Sequence, residues 1–119
     1  MQTTGLIVGA ADGLHDDGWC WGETRLTLTA TVDATEFRLG VWFKPEEQGA
    51  SRVLMTVGTD KSAPVVEFVD LGEPKEFRLP VSWRNGEVMS VRIATPHKMS
   101  RAPGEQRDIA FALISLAAG

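Results

Sequence analysis

Apolar and polar residues alternate with a period of two along most of this chain. In the stretch 25–32, four apolar side chains alternate with Arg25 and three threonines. A β-strand points successive side chains to opposite faces, so this pattern predicts a strand with one buried face. Threonine suits the other face because its branched Cβ fits a pleated surface.

The same alternation recurs often enough to predict about eight strands. The other runs are 6–8, 37–44, 52–57, 65–69, 76–79, 88–93 and 109–116. Turn-forming residues separate these runs, and Asn85-Gly86 is a strong hairpin signal because such a turn needs positive φ at both central positions. Pro80 cannot donate to a ladder, which predicts an edge strand.

No window of the sequence has a sustained helical period, and no internal repeat or domain boundary interrupts the runs. We therefore predict an all-β fold, a two-sheet antiparallel β-sandwich of jelly-roll-like form. Residues 1–119 are expected to be a single domain, long enough to build a core without disulfide or metal support.

Charge and hydropathy argue against two classes of partner. The net charge is −4 and the twelve basic residues are scattered, whereas phosphate binding needs clustered Lys and Arg. We expect no nucleic-acid partner. The apolar run at 6–8 is too short to span a bilayer, so no membrane insertion is expected. Residues 1–5 lack the features of a signal peptide, which predicts a cytoplasmic protein or one exported within a larger assembly.

Four tryptophans and no tyrosine make the aromatic composition uneven. Trp19 and Trp21 have the parity of the polar positions in the strand that follows, which would put both rings on the solvent side. Gly18 and Gly22 bracket them and permit a bulge that would reset the alternation. An anchor packed under a loop is therefore favoured over an exposed pair, with a binding surface as the alternative.

The other two tryptophans differ in parity. Trp83 continues the apolar positions of its strand, which predicts a core residue. Trp42 stands opposite the apolar face of its strand, on the face of Arg38 and Lys44. It is expected either to cover the outside of a sheet or to form a flat binding surface.

The polar neighbours of these tryptophans suit a saccharide. A pyranose has an apolar C–H face that stacks on an aromatic ring, and a rim of hydroxyls that needs donors and acceptors. Carboxylates lie beside the first pair, and an arginine shares the face of the third ring. The candidate ligand-binding residues are Trp42, Arg38, Trp19, Trp21, Asp16 and Asp17.

No catalytic or metal site is expected. His15 and His97 are the only histidines, and neither has a partner at zinc-binding spacing. The three aspartates of the opening segment lack the spacing of a calcium loop, so a solvated acidic turn is favoured. Cys20, between two large rings, is predicted to be a small buried residue rather than a nucleophile. We therefore predict a non-enzymatic protein without a cofactor.

The order of several short motifs resembles a known family. His-Asp-Asp-Gly-Trp-Cys-Trp-Gly at 15–22 precedes an alternating strand, and the segment 73–80 resembles that family's strand after a glycine. The chain closes with a Pro-containing loop, Glu105-Gln106-Arg107 and a final apolar strand. These features resemble a β-sandwich domain often attached to bacterial glycosyltransferases and polysaccharide-biosynthesis proteins, which implies a jelly-roll-like, carbohydrate-binding fold.

The chain departs from this family in one residue and in its setting. The closing acidic residue is usually Asp, where Glu105 stands here. A module without a catalytic domain beside it is expected to act by binding. The planar guanidinium of Arg107 can form two hydrogen bonds to one carboxylate. We expect it to pair with Asp16 or Asp17 and so to connect the first and last strands of the fold.

Two functional hypotheses follow from the sequence. The first is a carbohydrate-binding module whose partner is a glycan, with a bacterial surface polysaccharide as the favoured ligand. The alternative is a structural or assembly subunit, such as a spike or decoration protein of a phage-like particle. The sequence leaves open whether the protein is a homo-oligomer or part of a larger assembly.

Overall fold

The computed structural model describes residues 1–45, 51–98 and 109–119. Across these ranges the chain forms nine strands and no helix. Consequently no helix there is long and apolar enough to cross a membrane. The strands are β1 (Gln2–Thr4), β2 (Leu6–Leu14), β3 (Trp19–Ala30), β4 (Ala34–Trp42), β5 (Arg52–Thr59), β6 (Ser62–Asp70), β7 (Lys75–Trp83), β8 (Val88–Ala94) and β9 (Phe111–Ala118).

Backbone hydrogen bonds join these strands into one nearly closed, barrel-like sheet. The order is β6-β5-β8-β3-β9-β4-β7, with every neighbouring pair antiparallel. In addition β2 lies antiparallel to β3, and the short β1 lies parallel to the end of β9. The predicted all-β, antiparallel class is confirmed.

The ladder is continuous because β3 changes partner along its length. Its first residues, Trp19 and Cys20, pair with β9, whereas its residues 23–29 pair with β8. The predicted division into two separate sheets, and the jelly-roll form that goes with it, are therefore not confirmed. The nine strands also exceed the predicted eight by β1, which carries no alternating signal.

The two ends of the strand order approach each other through an ion pair. β6 and β7 are consecutive in the chain but are not hydrogen-bonded as neighbours. Lys75 Nζ on β7 lies 2.9 Å from Glu67 Oε2 on β6. The Lys75 ammonium also lies 5.7 Å from the centre of the Phe77 ring. The Lys75–Glu67 ion pair thus connects β6 and β7, the two strands between which the sheet is not closed by backbone hydrogen bonds.

The predicted alternation builds the core. On β3, β5, β7 and β8 the buried side chains stand at alternate positions, and Phe37, Leu39 and Val41 of β4 follow the same alternation. Trp83 is fully buried, as expected from its parity, and its ring meets Phe37 edge-on at 6.1 Å. Its indole N–H donates to the carbonyl of Glu87 at 2.8 Å, so the buried polar atom has a partner.

The edge-strand prediction from Pro80 and the hairpin prediction from Asn85-Gly86 have different outcomes. β7 runs through Pro80 and is a terminal strand of the order, so the edge placement of Pro80 is confirmed. Gly86 has φ 88° in a tight turn, but β7 and β8 do not pair with each other. The hairpin prediction is wrong, because this turn connects two strands that are far apart in the sheet. β7 lies beside β4, whereas β8 lies between β3 and β5. The amide of Gly86 donates instead to the carbonyl of Ala30 at 2.7 Å.

Replacing Trp83 with alanine should lower the free energy of unfolding by about 3–5 kcal/mol, since it removes a large buried ring and the donor to Glu87. Trp83→Phe keeps most of the volume and should cost less. Trp21→Ala, at an exposed ring, should cost about 0.5 kcal/mol or less. Urea unfolding followed by circular dichroism measures all three, and equal losses for Trp83→Ala and Trp21→Ala would contradict the assignment.

Candidate functional site

A tight hairpin between β2 and β3 presents the opening tryptophans. The amide of His15 donates to the carbonyl of Trp19 at 2.8 Å, and the amide of Gly18 donates to the carbonyl of His15 at 3.0 Å. Gly18 has φ 91°, a conformation that favours glycine at the end of a three-residue hairpin loop. Asp16 is exposed at the tip, and Asp17 Oδ1 accepts the amide N–H of Trp19 at 3.3 Å. The loop therefore leads directly into β3.

The alternation of burial continues without a break through the start of β3. Cys20 and Thr24 are buried, whereas Trp19 is half-buried and Trp21 is 48% exposed. A register irregularity of the β2–β3 ladder falls beside this segment, but the burial pattern does not shift with it. The expected reset of the alternation is wrong, and both rings lie on the outer face of the sheet.

Trp19 and Trp42 meet across a small residue on the strand between them. Ala112 of β9 is the register partner of Trp19 on β3 and of Trp42 on β4. Residues in register project from the same face, and the methyl group of Ala112 leaves room above it for the flanking rings. The two ring centres lie 6.1 Å apart with their planes inclined at 60°, and both rings are half-buried. This is the Trp19–Trp42 pair.

Trp21 follows on the same face of β3. Its indole Nε1 donates to Nε2 of His15 at 2.7 Å, and the two rings meet edge-on with centres 5.9 Å apart. The hydrogen bond requires an unprotonated Nε2 on His15. It fixes the orientation of an exposed ring that would otherwise rotate in solvent.

Arg38 does not join these rings. It shares the outer face with Trp42, but the two residues are four positions apart, which corresponds to about 13 Å of strand. Its Nε lies 3.6 Å from Glu36 Oε1 on the same strand. Of the predicted residues, the fold therefore groups Trp19, Trp42 and Trp21, places Asp16 and Asp17 in the adjoining loop, and leaves Arg38 apart.

An ion-pair cluster occupies the next position along the outer face of β3. Glu23 Oε1 accepts hydrogen bonds from Arg25 Nε at 3.0 Å, from Arg25 Nη2 at 2.9 Å and from Arg92 Nε at 3.2 Å. The bonds from Arg25, and then those from Arg92, lower the pKa of Glu23 below its ordinary value. Sequence reasoning missed this cluster. The Glu-x-Arg spacing indicates the first arginine, but Arg92 comes from another strand.

Two open depressions flank this cluster on the outer face. The larger has a volume of about 550 Å³ and lies over Gly58, bordered by Arg25, Arg92 and the turn at Thr59 and Asp60. The smaller has a volume of about 410 Å³ and lies on the other side of Glu23, beside Leu54 and Pro96. Charged groups on β3 and β8 thus stand at the edge of two concave surfaces.

Cys20 and the side chains that could ligate a metal are placed by the structure as follows. Cys20 is fully buried, and burial raises the pKa of its thiol to about 11. The thiol is therefore protonated at neutral pH and lacks the reactivity of a nucleophile. In the part of the chain that the structure describes, no three His, Cys, Asp or Glu side chains form a group that could hold a metal ion.

Glu105-Gln106-Arg107, and with it the expected pairing of Arg107 with Asp16 or Asp17, lies outside the described residues.

Comparison of the sequence with known protein families and with curated proteins found no match.

Cys20 is expected to react with a thiol reagent such as DTNB about a hundredfold more slowly in the native protein at pH 8 than in urea, because burial suppresses the thiolate and blocks access. Absorbance of the released thiolate follows the reaction. Cys20→Ser should give no signal, since the chain has one cysteine. Rapid stoichiometric labelling of the native protein would contradict the burial of this thiol.

Proposed function

We propose that this domain is a non-enzymatic carbohydrate-binding module that recognises a bacterial surface polysaccharide. The observation that carries the proposal is the Trp19–Trp42 pair, which lies half-exposed on the outer face of the sheet beside Trp21. We further propose that the sheet is folded as two facing layers, in the jelly-roll manner of the domains attached to bacterial glycosyltransferases.

The placement of the aromatic rings supports this proposal. Burying an indole ring in the core stabilises a fold, and Trp83 is buried in this way. Three further rings nevertheless lie on the outer face, where they add less to stability and form an apolar surface next to polar groups. Such a surface is typical of a binding site, and a pyranose C–H face is complementary to it.

The polar groups around the rings supply the rest of a saccharide site. The indole N–H of Trp21 is bonded to His15, and the ring is 48% exposed, so the proposed contact with a sugar is made by the ring and not by its N–H. Asp16 is exposed in the adjoining loop and offers two acceptor oxygens for sugar hydroxyls. The depressions along β3 are open rather than enclosed, which suits a chain bound side-on more than a small substrate held for reaction.

Titration of tryptophan fluorescence with a panel of bacterial capsular and cell-wall polysaccharides should give a saturable change. Trp21→Ala should weaken binding about fivefold or more, since one aromatic contact is worth about 1 kcal/mol. Trp42→Ala should weaken it further, because it removes one ring of the Trp19–Trp42 pair and leaves Trp19 without its packing partner. Isothermal calorimetry measures the same affinities without depending on the number of indoles.

Phe68→Ala is the matched control, because Phe68 is also an exposed aromatic ring (59%) but lies on β6. It should bind as the wild type does. No response across the panel, or an equal loss for Phe68→Ala and Trp21→Ala, would refute the proposed stacking surface.

A second candidate function is supported by a different surface. Leu54 and Phe68 are register partners on the outer face of β5 and β6, and Val66, two residues from Phe68 on the same strand, is also exposed. The guanidinium of Arg52 lies 5.7 Å from the centre of the Phe68 ring. Contiguous exposed apolar side chains are typical of protein interfaces. They favour an assembly subunit, such as a spike or decoration protein of a phage-like particle, as the alternative.

Sedimentation velocity at micromolar concentration separates the two candidates. Under the leading proposal the protein should sediment as a monomer, and Phe68→Asp should not change its sedimentation. A stable trimer or larger ring that dissociates on Phe68→Asp, but not on Trp21→Asp, would establish the assembly function instead.

A further inference from the structure

We propose that the depression over Gly58 binds the carboxylate of an acidic saccharide residue, such as a uronate, through Arg92 and Arg25. The inference rests on the proposed function for the saccharide and deepens it by naming the charge class of the ligand.

One row of register partners crosses the depression. Arg25 of β3 is the register partner of Arg92 of β8, which is in turn the register partner of Gly58 of β5. Gly58 has no side chain to fill the space beside Arg92, and a Cβ at this position would lie 3.6 Å from Pro64 Cβ. The resulting volume of about 550 Å³ is within the range of small-molecule sites.

The groups that line this depression are rich in donors. Arg25 and Arg92 together use three N–H donors on Glu23, which leaves most of the donors of two guanidiniums for other acceptors. The carboxylate in the lining is Asp60, and its Oδ1 already accepts the amide N–H of Ser90 at 3.1 Å. A ligand group that complements this lining must supply acceptors, and a carboxylate does so without bringing further donors.

Glu23 demonstrates the geometry that such a ligand would use. A single carboxylate oxygen of Glu23 is held by both arginines, although it does not itself line the larger depression. The arginine side chains are each more than half exposed, so they are accessible from the depression. Glu23 therefore competes with an incoming carboxylate for the same guanidiniums.

The position of the depression connects it to the aromatic surface. Trp21 and Arg25 stand on the same face of β3, separated by about 13 Å of strand. A saccharide chain that stacks on Trp21 and follows the strand reaches the arginines. The two sites can thus bind successive parts of one ligand.

NMR titration of the ¹⁵N-labelled full chain with galacturonate tests the inference. Galacturonate should shift the Nε–Hε signals of Arg25 and Arg92 and the amide of Gly58, with saturation. Galactose, which lacks the carboxylate, should bind about tenfold more weakly. Acetate should also bind more weakly, since it has no ring to contact the depression. Equal binding of galactose would overturn the role of the carboxylate, and equal binding of acetate would overturn the saccharide.

Substitutions at the ion pair give opposite expected effects. Arg92→Gln should weaken galacturonate binding about tenfold, whereas Glu23→Gln should strengthen it because the competing carboxylate is gone. The control is Arg78→Gln on β7, where Arg78 Nε bonds Glu76 Oε1 at 2.8 Å in the same Glu-x-Arg arrangement. It should change nothing. Equal losses for Arg92→Gln and Arg78→Gln, or weaker binding by Glu23→Gln, would refute the site.

The outcome can be separated from that of the proposed function. Polysaccharide binding that depends on Trp21 but is indifferent to Arg92, with no shifts from galacturonate, overturns this inference alone. Galacturonate binding that depends on Arg92, without any effect of Trp21→Ala on polysaccharides, supports this site and overturns the stacking surface. A dispersed amide spectrum for each variant establishes that it is folded.

Discussion

The side-chain alternation of β3 determines both the interior and the candidate surface of this protein. The strand has twelve residues, and Leu26 and Leu28 on its inner face are fully buried. Because successive side chains point to opposite faces, this burial places Trp21, Glu23 and Arg25 outside. A register slip of one residue would put the arginine in the core and a leucine in solvent, at a large cost in free energy. The surface chemistry is thus fixed by the packing of the core.

The change of partner along β3 then assembles the two parts of that surface. Its start lies against β9, which brings Trp42 of the next strand to Trp19. After Gly22, whose carbonyl accepts the amide N–H of Thr95 at 2.8 Å, the strand lies against β8, which brings Arg92 to Glu23. β3 thereby supplies residues to both clusters, and the partner residue comes from β4, on the far side of β9, in the first cluster and from the adjacent β8 in the second. The same continuity joins all nine strands into one sheet.

Local patterns in the sequence predict the strands, the burial of Trp83 and the outward parity of Trp42, because alternation depends only on neighbouring residues. The contacts of the candidate site depend on register, which local patterns do not encode. Ala112 must lie between Trp19 and Trp42 for their rings to meet, and it is far from both in sequence. The Asn85-Gly86 turn does not form a hairpin for the same reason, since β7 pairs with β4 and β8 pairs with β3 and β5, all of which are distant in sequence.

For the proposed saccharide site, the energetics of both clusters favour a repeating polymer as the ligand. Exposed ion pairs such as that of Glu23 are individually weak, and a half-buried ring contributes about as little. A monosaccharide that contacts one cluster alone is therefore expected to bind only weakly and to saturate its site only at high concentration, because little interaction energy remains after its loss of translational freedom. A chain long enough to contact both makes the second contact intramolecular, so that two weak interactions combine into a stronger one. A surface with shallow contacts spread along one strand is therefore better suited to a polysaccharide than to its units.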